Sequence, residues 1–151
     1  MAGESITQLI FFIAAIVIAL AVIGAVTTNV RSITASYSIS SKTVADQLKT
    51  DITIINDPAA IPYDTVGKNY SFFVKNTGKN TLDPTAVNMF VDGNYTNVTN
   101  NWTVMQGGST WDTTEVLRLN YTTTIQFSSG TDHTVRVVTE NGVFDTMTFR
   151  I

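Results

Sequence analysis

Leu9 to Val26 is a run of eighteen residues without a charged or strongly polar side chain, and it limits the chain more than any other feature. As a helix it covers about 27 Å, or about 31 Å counted from Ile6, close to the hydrocarbon thickness of a bilayer. A helix buried in a small soluble core keeps one polar face. This run keeps none. A cleaved secretory signal has a basic start and an apolar stretch of roughly 7–15 residues. Here the only charge ahead of the run is Glu4, and the run is longer. A retained single-pass anchor is therefore predicted. Ser5 and Gln8 have capping-box spacing, which places the helix start near Ser5. Small residues at four-residue spacing (Ala15/Ala19, Ala21/Ala25, Gly24/Thr28) permit close helix contact, but Ala-rich spans often show them.

The helical pattern continues beyond the bilayer. No Gly or Pro occurs between Ala25 and Asp57, and Val30, Ile33, Tyr37, Val44 and Leu48 follow a heptad-like stripe broken at Ser40. One helix from about Ser5 to about Leu48 is predicted, self-associating as a stalk or lying on its own β domain. The two sides of the span disagree on orientation. Arg31 and Lys42 follow it and no Lys or Arg precedes it, so the positive-inside rule alone puts the remainder in the cytoplasm. Five Asn-x-Ser/Thr sequons, at Asn69, Asn94, Asn97, Asn101 and Asn120, are candidate N-glycosylation sites and argue for an external domain. With twelve Asn and so many Ser and Thr, about three sequons arise by chance, so the excess is modest. The Thr- and Asn-rich, Lys-poor composition also points outward.

Residues 1–49 are read as the anchor helix with its extension, and residues 50–151 as an extracytoplasmic β domain. Asp51–Asp57 is β-branched and closes at Asp57-Pro58. Tyr70–Asn76 alternates and ends at Thr77-Gly78. Ala86–Gly93 ends in the hairpin pair Asp92-Gly93, with Asn94–Thr99 returning. Trp102–Met105 precedes Gly107-Gly108, and Glu115–Phe127 is one long strand or two. His133–Ile151 holds two strands around Glu140-Asn141-Gly142, where Asn141-Gly142 suits a type I′ turn. Seven or eight short strands predict an Ig-like antiparallel β-sandwich. The predicted core is Ile52, Ile54, Phe72, Val74, Val87, Met89, Val91, Leu117, Leu119, Ile125, Val135, Val137, Phe144, Met147 and Phe149. The fold class is thus mainly β with one long N-terminal transmembrane helix.

Chemistry is sparse. The net charge of −3 argues against a nucleic-acid binder, and the absence of Cys removes disulfides and thiolate sites. His133, the single His, sits beside Asp132 without a recognisable nucleophile and reads as a surface residue. Most Asp residues fall in turns, as Asx chemistry favours. Val91-Asp92-Gly93-Asn94 shares only Asp-Gly with a calcium loop, and the glycines form no phosphate-cradling pattern. Trp102 and Trp111 flank the Gly-Gly loop and read as core or loop packing, with an exposed partner surface as the alternative. No catalytic, cofactor or metal residue is assigned, and no cofactor is expected. Binding and mechanics are indicated.

The segment Ile6–Val26 ("ITQLIFFIAAIVIALAVIGAV"), a helical extension and a sandwich together resemble the architecture of archaeal type IV pilin-like proteins. Two stretches are more specific: "QLKTDITIINDPAAIP" (Gln47–Pro62) and "FFVKNTGKNTLDP" (Phe72–Pro84) resemble the archaellum protein G family, FlaG or ArlG. That resemblance implies a membrane-anchored accessory part of the archaellum motor, in contact with archaellum protein F and the S-layer, self-assembling, and non-enzymatic. It also implies a cytoplasmic N-terminus and an external β domain, against the positive-inside reading. The main rival is an archaellin or archaeal pilin filament subunit. Such subunits carry a basic leader ending in Lys/Arg-Gly, whereas Gly3 follows Met1-Ala2, an expectation against the filament. A membrane-tethered carbohydrate-binding or S-layer-associated sandwich is a further alternative, requiring a row of exposed aromatics such as Trp102, Trp111 and Tyr121.

Overall fold

The computed structural model describes residues 2–98 and 100–151. They form one long helix, α1 (Ala2–Lys49), followed by nine short strands. The chain divides into two compact units, Met1–Lys42 and Thr43–Ile151, so the last helical residues belong with the strands. The helix starts at Ala2, ahead of Ser5, so Ser5 is an interior residue and does not act as the N-cap. The helix is unbroken because its apolar and small residues all tolerate α geometry, and the first Pro lies beyond its end at Pro58.

One sheet contains β1 (Ile52–Ile54), β2 (Tyr63–Asp64), β3 (Asn69–Asn76), β6 (Trp102–Val104) and β7 (Val116–Thr122), in the order β1-β3-β7-β6 with β2 also on β3. The other contains β4 (Asn88–Val91), β5 (Asn94–Thr96), β8 (Asp132–Val138) and β9 (Phe144–Arg150), in the order β5-β4-β8-β9. Every pairing is antiparallel. Alternating side chains of the two inner faces make the core: Phe72, Val74, Leu117 and Leu119 from one sheet, Met89, Val135, Val137 and Phe149 from the other. Fully burying each such side chain contributes roughly 1.5–3 kcal/mol before entropy is counted.

Two predicted core residues are on the outside. Ile125 is 79% exposed because β7 ends at Thr122 and the chain turns, with the Thr123 hydroxyl bonded to the Ile125 backbone. Phe127 packs inward in its place, its N–H donating to the Tyr70 hydroxyl at 3.0 Å. Phe144 is 55% exposed by parity: on β9 the inward positions are Asp145, Met147 and Phe149, and a period of two cannot bring Phe144 to the same face. Conversely, Ile61, Tyr70, Leu82, Val98 and Val104 are buried and were not predicted as core.

The two hairpin turns also exchange roles. Asp92 (φ 50°) and Gly93 (φ 78°) are both left-handed, the signature of a type I′ turn between β4 and β5. In the β8–β9 hairpin only Gly142 is left-handed, and Thr139 bonds to Gly142 and Val143 around a three-residue loop, so the type I′ expectation at Asn141-Gly142 fails. Asn141 is held elsewhere: its Nδ2 donates to the Thr50 hydroxyl at 2.6 Å and its Oδ1 accepts from Thr139 at 2.7 Å.

Candidate functional site

Along the helix, Leu9, Ile10, Phe11, Phe12, Ile18 and Leu20 are each more than half exposed, and apolar groups cover every face. Its hydroxyls do not need outside partners. Thr7, Thr27 and Thr28 donate to the carbonyls of Gly3, Ile23 and Gly24 at 2.8–3.0 Å. A helix that satisfies its own polar groups and shows only hydrocarbon elsewhere is suited to lipid or to packing with like helices. Val30, Ile33, Tyr37, Val44 and Leu48 are exposed in the same way.

At the other end of the helix, the sandwich supplies its C-cap. Asp46 O accepts from the Thr50 hydroxyl and from Asn80 Nδ2, and Lys49 O accepts from Lys79 N at 2.7 Å. These are the carbonyls a helix end leaves without partners. The turn after β3 makes this geometry. Asn76 is fully buried, its Nδ2 donating to Asn80 O and Trp111 O and its Oδ1 accepting from Gly78 N. At Gly78 a Cβ would lie 2.5 Å from Asp51 N and 2.6 Å from Lys49 O, so the backbone approach excludes any side chain. The stretch Asn76-Thr77-Gly78-Lys79-Asn80, singled out for its resemblance, is therefore the clasp between the helix end and the sandwich.

His133 does meet a hydroxyl after all. Its Nδ1 lies 2.7 Å from Asp92 Oδ2 and its Nε2 2.8 Å from Thr131 Oγ1, while the ring stacks on Phe127 with centroids 4.1 Å apart. Thr131 donates its own hydrogen to Ser128 O at 2.6 Å, away from the imidazole, so the trio ties loops together and does not prime a nucleophile. Burial pushes the Asp92 carboxyl up, but hydrogen bonds from His133 and Thr134 N, with the His133 charge, outweigh it and hold the group below its usual value. Asp83 is also lowered, by the hydroxyl and backbone N–H of Thr85. Among the described residues, no three His, Asp or Glu side chains converge as metal ligands would.

On the outer face of the second sheet, Asn88, Phe90, Thr134, Arg136, Val138 and Phe144 line a shallow groove of about 570 Å³. Arg136 lies over the Phe144 ring, 4.7 Å from its centre. The aromatic row required for sugar binding does not form: Trp111 is fully buried, its Nε1 bonded to Glu115 O, and Tyr121 stacks on Phe127. Of the two packing readings, core packing is the correct one for Trp111.

The sequons separate by environment. Asn94 and Asn101 are exposed, whereas Asn69 and Asn120 are half-buried within β3 and β7. Asn97 is exposed, but its sequon includes Thr99, which lies outside the described residues.

A family model for archaeal-type flagellin matches residues 2–149. Over 156 aligned residues the chain is 28% identical to flagella-related protein G of Methanococcus voltae, covering 100% of this chain and 99% of the relative. Among solved structures, the archaellum periplasmic stator protein FlaG of Sulfolobus acidocaldarius is 18% identical, with 66% of this chain and 99% of that one covered and a TM-score of 0.48. A chain of the solved archaellum periplasmic stator protein complex of FlaF and FlaG from the same organism matches at 23% identity, 59% and 85% coverage and a TM-score of 0.42. The archaeal flagellum of Methanospirillum hungatei shares the fold, helix included, at 16% identity, 89% and 88% coverage and a TM-score of 0.51.

Proposed function

The chain belongs to the archaeal-type flagellin family, and from that premise we propose that it is a non-enzymatic, membrane-anchored stator component of the archaellum. The observation that carries the anchor is the helix, apolar on every face with its own hydroxyls satisfied internally. The accessory role, as opposed to the filament itself, is supported by full-length similarity to flagella-related protein G. In this reading residues 1–49 anchor the chain with the N-terminus in the cytoplasm. Residues 50–151 lie outside the cytoplasmic membrane and pass the torque reaction to the S-layer. Archaellum protein F is the proposed partner, following the protein-G resemblance, and copies of the chain self-assemble. The clasp at Asn76–Asn80 suits mechanical work, because load on the sandwich reaches the helix end through backbone hydrogen bonds.

Deleting the gene tests the assignment. Loss of swimming with filaments still assembled is the expected result, and normal swimming refutes it. A filament subunit is the second reading, favoured by the shared fold of the Methanospirillum flagellum. Sheared, purified filaments decide between the two: this chain as their main component establishes the filament, and its retention in the cell membrane establishes the stator.

A further inference from the structure

We propose that Asn94 and Asn101 are glycan acceptors, and that their glycans close the open strand edges at β5 and β6. The five sequons are equivalent in sequence, and the structure divides them. Asn94 opens β5 directly after the left-handed Asp92-Gly93 turn, and Asn101 immediately precedes β6. Both side chains are exposed, and neither carboxamide makes a hydrogen bond among the described residues. Asn69 and Asn120 are locked together instead. The hydroxyl of Ser71, which completes the Asn69 sequon, donates to Asn120 Oδ1 at 2.9 Å. Asn120 lies on β7, hydrogen-bonded on both sides, and Asn69 Nδ2 fills the space where Gly67 would carry a Cβ. A transferase that needs an extended, accessible carboxamide has no approach to either.

Asn94 and Asn101 lie where the fold is open. Sheet edges β1 and β9 are covered by each other: Asp145 Oδ2 accepts from Ile54 N at 2.8 Å, and Pro58 O accepts from Arg150 N at 2.9 Å. The remaining edges are β5 and β6, three residues each, and the two-residue β2 beside β1. Unpaired edges invite strand addition by another chain, and a bulky hydrophilic group beside them blocks it. In the transfer itself, an Asn Nδ2–H bond is replaced by a bond to C1 of the reducing-end sugar. The lipid phosphate that carried the oligosaccharide leaves with the sugar's bonding pair, and the amide proton is released.

The inference rests on the external placement of residues 50–151, so the test includes a separate reading of sidedness. Trypsin cleavage isolates Asn69 in residues 69–75, Asn94, Asn97 and Asn101 in residues 80–118, and Asn120 in residues 119–136. Mass spectrometry of the full chain from its own cells should find glycan on the 80–118 peptide and none on the other two. Asn94→Gln and Asn101→Gln should each remove one glycan mass. In parallel, Ser129→Cys, the sole thiol in a chain without Cys, is probed on intact cells with a membrane-impermeant maleimide. A labelled thiol with a bare 80–118 peptide overturns the acceptor assignment, as does glycan on Asn120. An unlabelled thiol overturns the external placement instead. The double variant should sediment faster than the wild type in detergent, and unchanged sedimentation overturns the shielding role.

Discussion

The helix up to Lys42 and the sandwich after it solve the same problem in opposite ways. The helix bonds the hydroxyls of Thr7, Thr27, Thr28, Thr34 and Ser36 inside its own turns and leaves Ile10, Phe11 and Ile18 more than 60% exposed. The sandwich puts Phe72, Val74, Leu117 and Leu119 wholly inside and closes its polar groups across long sequence separations, as Asn76 does with Trp111. One region turns its apolar groups outward, the other encloses them. Substitutions in the two regions should therefore fail in different assays.

The largest effect is expected at Trp111. Trp111→Ala empties a fully buried site and removes the bond to Glu115 O, and should cost about 3–5 kcal/mol. Thermal unfolding of the detergent-solubilised chain reads it, and membrane extraction should be unchanged. Ile18→Arg tests the reverse: about 3 kcal/mol against insertion, hence a shift of the chain out of the carbonate-resistant membrane fraction, with the melting of the sandwich unaltered. If both variants lower melting alike, the two regions are not independent. Gly78→Ala should cost about 1–3 kcal/mol, because the clash is with backbone and not with a side chain that could move aside.

Acid separates the regions next. The Asp92 and Asp83 carboxyls are held below their ordinary 3.8, so their contribution is present above that pH and is lost as pH falls through their folded values. The sandwich should melt at lower temperature as pH drops below about 4, and Asp92→Asn should flatten that slope. Membrane retention should not follow pH, since the span carries no titrating group. The smallest change is expected at Ile125, where Ile125→Thr should alter stability by no more than about 0.5 kcal/mol. A loss comparable to Trp111→Ala would mean that Ile125 is covered by a partner.

Much of this molecule was legible in the residues. The membrane-compatible helix followed from eighteen apolar positions, and the faces of β3, β4, β7 and β8 followed from alternation, because both signals are local. Errors appeared where local pattern is silent. Ile125 continues the parity of Leu117 and Leu119, and only the turn at Thr123 takes it off the sheet. Trp111 and Leu82 lie in no strand, yet they pair with each other across the chain and seal the core. The Asp92 carboxylate beside His133 could not be found by spacing, because it comes from another hairpin, 41 positions away.

By itself, the sequence determined a membrane-compatible helix and an antiparallel sandwich, since hydrophobic period and turn residues act over a few neighbours. Tertiary structure alone decided that the side chains of Asn94 and Asn101 are exposed and those of Asn69 and Asn120 half-buried, why Gly78 admits no side chain, and how the helix end is capped. Each of those depends on atoms brought together from distant parts of the chain. Asp46 meets Asn80, Thr50 meets Asn141, and Ser71 meets Asn120 only after the sheets have paired.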